Sequence, residues 1–218
     1  MNHIVLLGDS IFDNRAYVGG GPAVIDQMQQ KLGSTWQASL LAVDGDTTAE
    51  VPQQLRKLPK DCSHLVLSIG GNDALRSLDL MTAPTVNLMT ALAELAKIVA
   101  AFKHRYTSLL DQLLDLNKPL LVCTVYDSVP GLSDALKVGL ALFNDVILKT
   151  AITKGVSVMD LRMICTEASD YSVQSPIEPS SQGGEKIANL IADVMLQHDF
   201  SVRGCVVLAS VLEKQAMK

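Results

Sequence analysis

The sequence predicts an α/β fold: a parallel sheet of five strands with helices packed on both of its faces. Two observations carry this. Short runs rich in Val, Ile and Leu alternate with longer stretches of helical period, the pattern of strand-helix-strand units. The chain has 218 residues, of which 48% are apolar and 19% charged, enough to fill one core and far from the composition of disordered chains. One domain over 1–218 is therefore expected.

The strands are predicted, in order, at 3–7, 37–43, 64–69, 120–126 and 156–161, each a short apolar run. Helices are predicted at 22–32, 49–58, 85–116, 133–154 and 181–197. Within 85–116, Leu88, Leu92, Leu95, Val99, Phe102, Tyr106, Leu109, Leu113 and Leu116 recur at steps of four and three, which lays one apolar stripe along the helix. A helix lying on a sheet needs such a stripe, and a coiled-coil partner is the alternative. Ser34, Asn117-Lys118-Pro119 and Lys154-Gly155 punctuate the turns between elements. The segment 199–218 lies beyond the last helix as a C-terminal extension, with an edge strand and a short helix as its possible content.

Composition excludes several functions. A net charge of -5 with scattered Lys and Arg leaves no basic stripe for nucleic acid. The first residues enter an apolar strand without a basic leader, so a cytoplasmic location is expected. No apolar run approaches the roughly 20 residues of a spanning helix. Cys62, Cys123, Cys165 and Cys205 form no CxxC pair and have no His at ligand spacing, so neither a metal site nor a disulfide framework is expected. A dinucleotide cofactor would need G-x-G-x-x-G directly after the first strand, and Gly19-Gly20-Gly21 comes too late. No cofactor is expected.

Ligands of an open parallel sheet bind outside the carboxyl ends of its strands. Three loops there are polar: Gly8-Asp9-Ser10-Ile11-Phe12-Asp13-Asn14, Asp44-Gly45-Asp46-Thr47-Thr48 and Gly70-Gly71-Asn72-Asp73. Any one of them is ordinary turn chemistry; all three, in order, each at the end of a strand, are not.

These residues resemble the SGNH/GDSL hydrolase family. Its serine block corresponds to Gly8-Asp9-Ser10-Ile11, its glycine block to Gly45-Asp46-Thr47-Thr48 and its asparagine block to Gly70-Gly71-Asn72-Asp73. The resemblance implies a flavodoxin-like, three-layer α/β/α sandwich and hydrolysis of small ester or acyl substrates through an acyl-enzyme on Ser10. It also implies an oxyanion hole made by the backbone N–H groups of Ser10 and Gly45 and the side-chain amide of Asn72. Each fixed donor aimed at the growing negative charge is worth roughly 3 kcal/mol of barrier. Asp9 and Asp73, beside the blocks, and Tyr126, on the loop after the fourth strand, are candidate substrate contacts; for Asp9, Asp13 and Asp73 a capping or turn role competes.

The last block departs from the family. Its Asp-x-x-His, usually followed by Pro, corresponds here to Ser175-Pro176-Ile177-Glu178, with Pro179 next. Glu178 stands in the histidine slot and Ser175 in the aspartate slot. His3, His64, His104 and His198 all fall at positions that do not suit a base. An unperturbed Glu titrates near 4.3, about two units below His, so burial must raise it before it accepts the Ser10 proton efficiently. An ionised Glu178 also repels an oxyanion, where a histidinium would attract it. Asp170 is a further carboxylate on the same stretch of chain. Two readings follow: a slow esterase working through a Ser10-Glu178 dyad, or a non-catalytic relative whose pocket binds a ligand or partner.

Overall fold

The computed structural model describes residues 2–78, 87–202 and 204–209. Six parallel strands form one sheet in the order β2-β1-β3-β4-β5-β6: β1 Asn2–Gly8, β2 Trp36–Leu40, β3 His64–Ser68, β4 Leu120–Cys123, β5 Ser157–Met159 and β6 Val207–Leu208. Five were expected. The sixth comes from the C-terminal extension, where the Val158 and Asp160 N–H groups donate to the Val206 and Leu208 carbonyls at 2.9 and 2.8 Å. Two residues of short strand carry little sequence signal, since periodicity needs a longer window. Residues 210–218 of the expected extension lie outside the described residues.

The strands alternate their side chains between two cores. Ile4 and Leu6 of β1, Val66 of β3, Leu121 and Cys123 of β4 and Met159 of β5 face one of them. There they meet Val24, Met28 and Leu32 of α1 (Val24–Leu32) and Ile187, Ile191 and Val194 of the last helix, Ser181–Gln197. Val5 and Leu7, Leu65 and Leu67, Leu120 and Val122, and Val158 face the other core. That core is closed by α2 (Val51–Leu55), α4 (Leu88–Leu114) and α5 (Asp134–Lys154); a short α3 (Gly71–Leu75) follows β3, and the last helix is α6. The result is the expected three-layer α/β/α sandwich. Cys62, Cys123 and Cys165 are free and buried, and Cys205 is free and half-buried.

The predicted stripe of α4 is only half used. Phe102, Tyr106, Leu109 and Leu113 are buried, while Leu88 and Leu92 stay 73% and 47% exposed. Length explains this: at 1.5 Å per residue, 27 helical residues span about 40 Å, whereas a five-residue strand covers about 17 Å. The first turns of the helix, which carry Leu88 and Leu92, extend beyond the core, while Ile98 and Val99 already pack against it. Asn87 caps it by accepting the Thr90 N–H at 2.9 Å. Residues 85 and 86 of the predicted helix lie outside the described residues.

The chain crosses from one side of β1 (β2) to the other (β3), so the crevice at the carboxyl ends of β1 and β3 is where such sheets take ligands. The ladders stop at Gly8, Leu40 and Ser68, short of the predicted ends of β2 and β3, and the released residues build the loops above that crevice.

Candidate active site

Gly8 sets the position of the serine turn. Its φ is 129°, and a Cβ there would stand 1.7 Å from the Ser68 carbonyl oxygen, so only glycine lets the ends of β1 and β3 close up. The peptide groups of Gly8 are held by one side chain, Gln54 of α2, whose Oε1 accepts the Gly8 N–H at 2.9 Å and whose Nε2 donates to the Gly8 carbonyl at 2.7 Å. The chain then turns tightly, with the Phe12 and Asp13 N–H groups both donating to the Asp9 carbonyl at 3.1 Å. Ser10 sits on this turn, 6% exposed. Its own N–H makes no hydrogen bond among the described residues.

Asn72 lies in the first turn of α3. Its Nδ2 donates to the Asp46 carbonyl at 2.9 Å, which fixes the amide and leaves its second hydrogen uncommitted. Asp73, next to it, is a tie within the scaffold: its carboxylate accepts the Thr48 N–H at 3.0 Å and the Thr48 hydroxyl at 2.7 Å, with Arg105 at 3.5 Å. Asp73 does not line the pocket around Ser10. Neither does Gly45, which is exposed with a φ of 83°, its carbonyl accepting from the Arg76 guanidinium at 3.1 Å. Asp13 also serves the scaffold, accepting the Asp44 N–H at 3.0 Å.

The segment carrying Glu178 is clamped from several sides. The Ser172 N–H donates to the Glu178 carbonyl at 2.8 Å, Tyr126 Oη donates to the Ile177 carbonyl at 2.7 Å, and Asn14 Nδ2 donates to the Pro179 carbonyl at 3.2 Å. Tyr126 packs edge-on against Tyr171, whose ring centre is 5.0 Å away. Glu178 is thereby delivered to the pocket that Ser10 lines. Its side chain is 6% exposed and Oε2 is buried without a hydrogen-bond partner among the described residues. Burial pushes its carboxyl up from the usual Glu value; the nearby Ser10 hydroxyl offsets part of this, and the charge of Asp44 adds to it.

Asp9 behaves similarly. It is 2% exposed, and burial raises its carboxyl well above the usual value, against the pull of the Ile11 N–H and with the charges of Glu178, Asp73 and Asp44 adding to the rise. Asp9, Ser10, Asn72, Tyr126 and Glu178 share one pocket of about 100 Å³. Asp170 belongs elsewhere: it is fully buried in an ion pair with Lys186, 2.7 Å away, and does not line this pocket. The histidines are likewise remote. His3 bonds Asp61 and Ser39, His64 bonds Ser63, His198 bonds Ser157, His104 is exposed, and none lines the pocket. Among the described residues no cluster of His, Cys, Asp and Glu could hold a metal ion.

Sequence reasoning missed three parts of the site. Gln54 and Asn144 each grip a peptide group at the end of a central strand, Asn144 holding both the N–H and the carbonyl of Val125 at 2.8 Å. Their partners are 46 and 19 residues away, so no local pattern betrays them. The third is the wall supplied by α5, for which Gly139, a glycine inside a helix, was the available signal.

A six-stranded α/β/α sandwich whose serine turn and asparagine turn converge beyond β1 and β3 has the layout that the resemblance to SGNH-type hydrolases implies. The comparisons agree. The model of the GDSL-like lipase/acylhydrolase family matches residues 6–185, and the chain belongs to that family. No curated protein sequence matches it. Solved structures share the fold at low identity. A lipase from a goat rumen metagenome superposes with a TM-score of 0.68 at 17% identity, covering 86% of this chain and 94% of its own. A lipase/acylhydrolase from Enterococcus faecalis gives 0.62 at 19% identity, covering 88% and 94%, and an acetyl xylan esterase from Geobacillus stearothermophilus gives 0.62 at 16%, covering 85% and 90%.

Proposed function

We propose that the protein is a carboxylic ester hydrolase in which Ser10 is the nucleophile and Glu178 the general base. The observation that carries this is the buried Glu178 carboxylate, its Oε2 without a hydrogen-bond partner among the described residues, in the pocket lined by Ser10. Burial makes it a stronger base than an ordinary carboxylate, which brings it toward the pKa range in which general bases work near neutral pH.

The reaction runs in two halves. The Ser10 hydroxyl attacks the ester carbonyl while its proton passes to Glu178. The tetrahedral intermediate then expels the alkoxide, which takes that proton back, and leaves an acyl group on Ser10. Water repeats the sequence and releases the acid. The Ser10 N–H and the free hydrogen of the Asn72 amide are the donors for the oxyanion; Gly45, the third donor of the family pattern, lies outside the pocket and supplies none. Repulsion between Glu178 and the oxyanion is self-limiting, because the carboxylate becomes neutral as it accepts the proton. One negative charge moves from Glu178 to the carbonyl oxygen; no second one is created. What the site lacks relative to histidine is the attraction of a cation, so turnover is slow.

The absence of any histidine from the pocket is what favours the competing reading, a binding protein that kept the pocket and lost the base. Labelling by a fluorophosphonate, read by peptide mass spectrometry, separates the two. Modification of Ser10 that disappears in Ser10→Ala, together with hydrolysis of a chromogenic ester lost in the same variant, is the expected result. An unlabelled Ser10, or ester hydrolysis that persists in Ser10→Ala, overturns the proposal.

A further inference from the structure

We infer that the substrate carries a primary ammonium group, held by the carboxylates of Asp9 and Glu178; this rests on the reading of Ser10 as the nucleophile. Both side chains line the Ser10 pocket, and they are 2% and 6% exposed. Carboxylates buried to that degree are ordinarily paired with a cation. Among the described residues no Lys, Arg or His lines this pocket. Asp9 Oδ1 accepts the Ile11 N–H at 3.2 Å, and Glu178 Oε2 is buried with no hydrogen-bond partner among the described residues. The surroundings do not compensate the pair. Asp44 and Asp73, whose charges act on it, are themselves acidic, and burial keeps Tyr126, which also lines the pocket, a neutral phenol. Arg105 pairs with Asp73 at 3.5 Å, and Arg76 donates to the Gly45 carbonyl at 3.1 Å.

An acceptor without a donor, in a place with two buried carboxylates and no cation, matches a group that is donor and cation at once. A primary ammonium is both. A quaternary ammonium has no N–H to offer Oε2, and an anionic substrate would meet Asp9 and Glu178 as like charges. The apolar remainder of the wall, with the rings of Tyr126 and Phe143, takes the hydrocarbon that an amine carries. Burial holds both carboxyls above their usual values, and pairing with a cation favours their ionised forms, so the ligand displaces a proton as it enters. Glu178 is then in the form a base must have. The ammonium also supplies what the missing histidine would: as the Ser10 proton passes to Glu178 and negative charge grows on the carbonyl oxygen, a positive charge stays close by.

The test compares molecules of one size that differ in charge. Butylammonium, butanol and pentanoate are titrated into Ser10→Ala near neutral pH, by calorimetry in two buffers of different ionisation enthalpy. A charge-assisted hydrogen bond should make butylammonium bind about 10- to 100-fold more tightly than butanol, with pentanoate weakest and protons released by butylammonium alone. Adding Asp9→Asn or Glu178→Gln should each shrink that preference; because it is a ratio, a misfolded variant, which loses both ligands, is told apart. Turnover puts the same question to the wild type, through β-alanine ethyl ester against ethyl butyrate and δ-aminobutyl acetate against pentyl acetate. Each pair exchanges ammonium for methyl, and at least one amino ester should have a kcat/KM about tenfold higher or more, relative to its alkaline hydrolysis. Equal affinity for butylammonium and butanol, a preference untouched by either carboxylate variant, or no advantage for either amino ester while Ser10 still labels and turns over, overturns the inference and leaves the hydrolase reading intact. A preference for the cation beside an unlabelled Ser10 supports the cation site and removes the reading of Ser10 as nucleophile.

Discussion

Replacing Glu178 by Gln tests the base and the energetics of the site in one experiment. In the folded protein burial raises the Glu178 carboxyl above its unfolded value, so the folded state holds a proton that the unfolded chain has released. Stability contributed by this group is fully present below the unfolded pKa and is lost as pH rises through the folded pKa. Gln carries no charge at any pH, so it removes this loss. Gln keeps an unpartnered polar atom there, so what it removes is the charge alone; each tenfold by which burial weakens the acid is worth about 1.4 kcal/mol, and for a chain of this size each kcal/mol moves Tm by about 2–4 °C. Glu178→Gln is therefore expected to melt about 3–6 °C above the wild type near neutral pH for each such tenfold, and to match it at a pH low enough that Glu178 is already protonated. Ester hydrolysis should fall by about 10² to 10⁴. Thermal melts across mildly acidic to neutral pH, beside initial rates at each pH, make the measurement. A variant that melts no higher at neutral pH, or whose gap from the wild type does not widen as pH rises, refutes the burial argument. Unchanged turnover refutes the role of Glu178 as base.

Three further outcomes follow from the same geometry. Glu178→His with Ser175→Asp restores the base and orienting carboxylate of the family pattern, and should raise kcat by about 10²-fold or more and move the acid limb of the pH-rate profile toward the histidine range near 6.5; a fall in rate would mean that the segment cannot present an imidazole to Ser10. Asp9→Asn keeps an acceptor for the Ile11 N–H, 3.2 Å from Asp9 Oδ1, while deleting a carboxyl whose pKa is raised by burial. Stability of the wild type should therefore fall as pH rises through the folded value of Asp9, and the variant should lose that slope in pH-dependent denaturant titrations; an unchanged slope would place the linkage elsewhere. Gly8→Ala puts a Cβ 1.7 Å from the Ser68 carbonyl, and should cost on the order of 4 kcal/mol or prevent folding, as read by circular dichroism and expression level; a normally stable variant would show that β1 and β3 can part at that point.

The sequence by itself determined the layers and the chemistry of the loops. Runs such as Ile4 to Leu7 and Leu65 to Leu67 specify strands covered on both faces, because alternate residues must each find a core, and they do. The order of the loops put Ser10, Asn72 and Glu178 on the same rim, since in a parallel sheet every strand delivers its carboxyl end to one side. The convergence of these residues on one pocket is a consequence of topology that the motifs already encode. What only the tertiary structure decided is how those groups are held and charged. Gln54 gripping Gly8, Asn144 gripping Val125 and Tyr126 anchoring Ile177 are contacts between segments remote in sequence, and hydrogen bonds of that kind leave no periodic trace. The raised pKa values of Asp9 and Glu178 arise from exclusion of water by everything packed around them, a property of the assembled volume and of no single segment. The same reasoning separates Gly45 and Asp73 from the pocket and leaves Leu88 and Leu92 of the α4 stripe in water: patterns fix which face of an element is apolar, and only the lengths and positions of its neighbours fix how much of that face is covered.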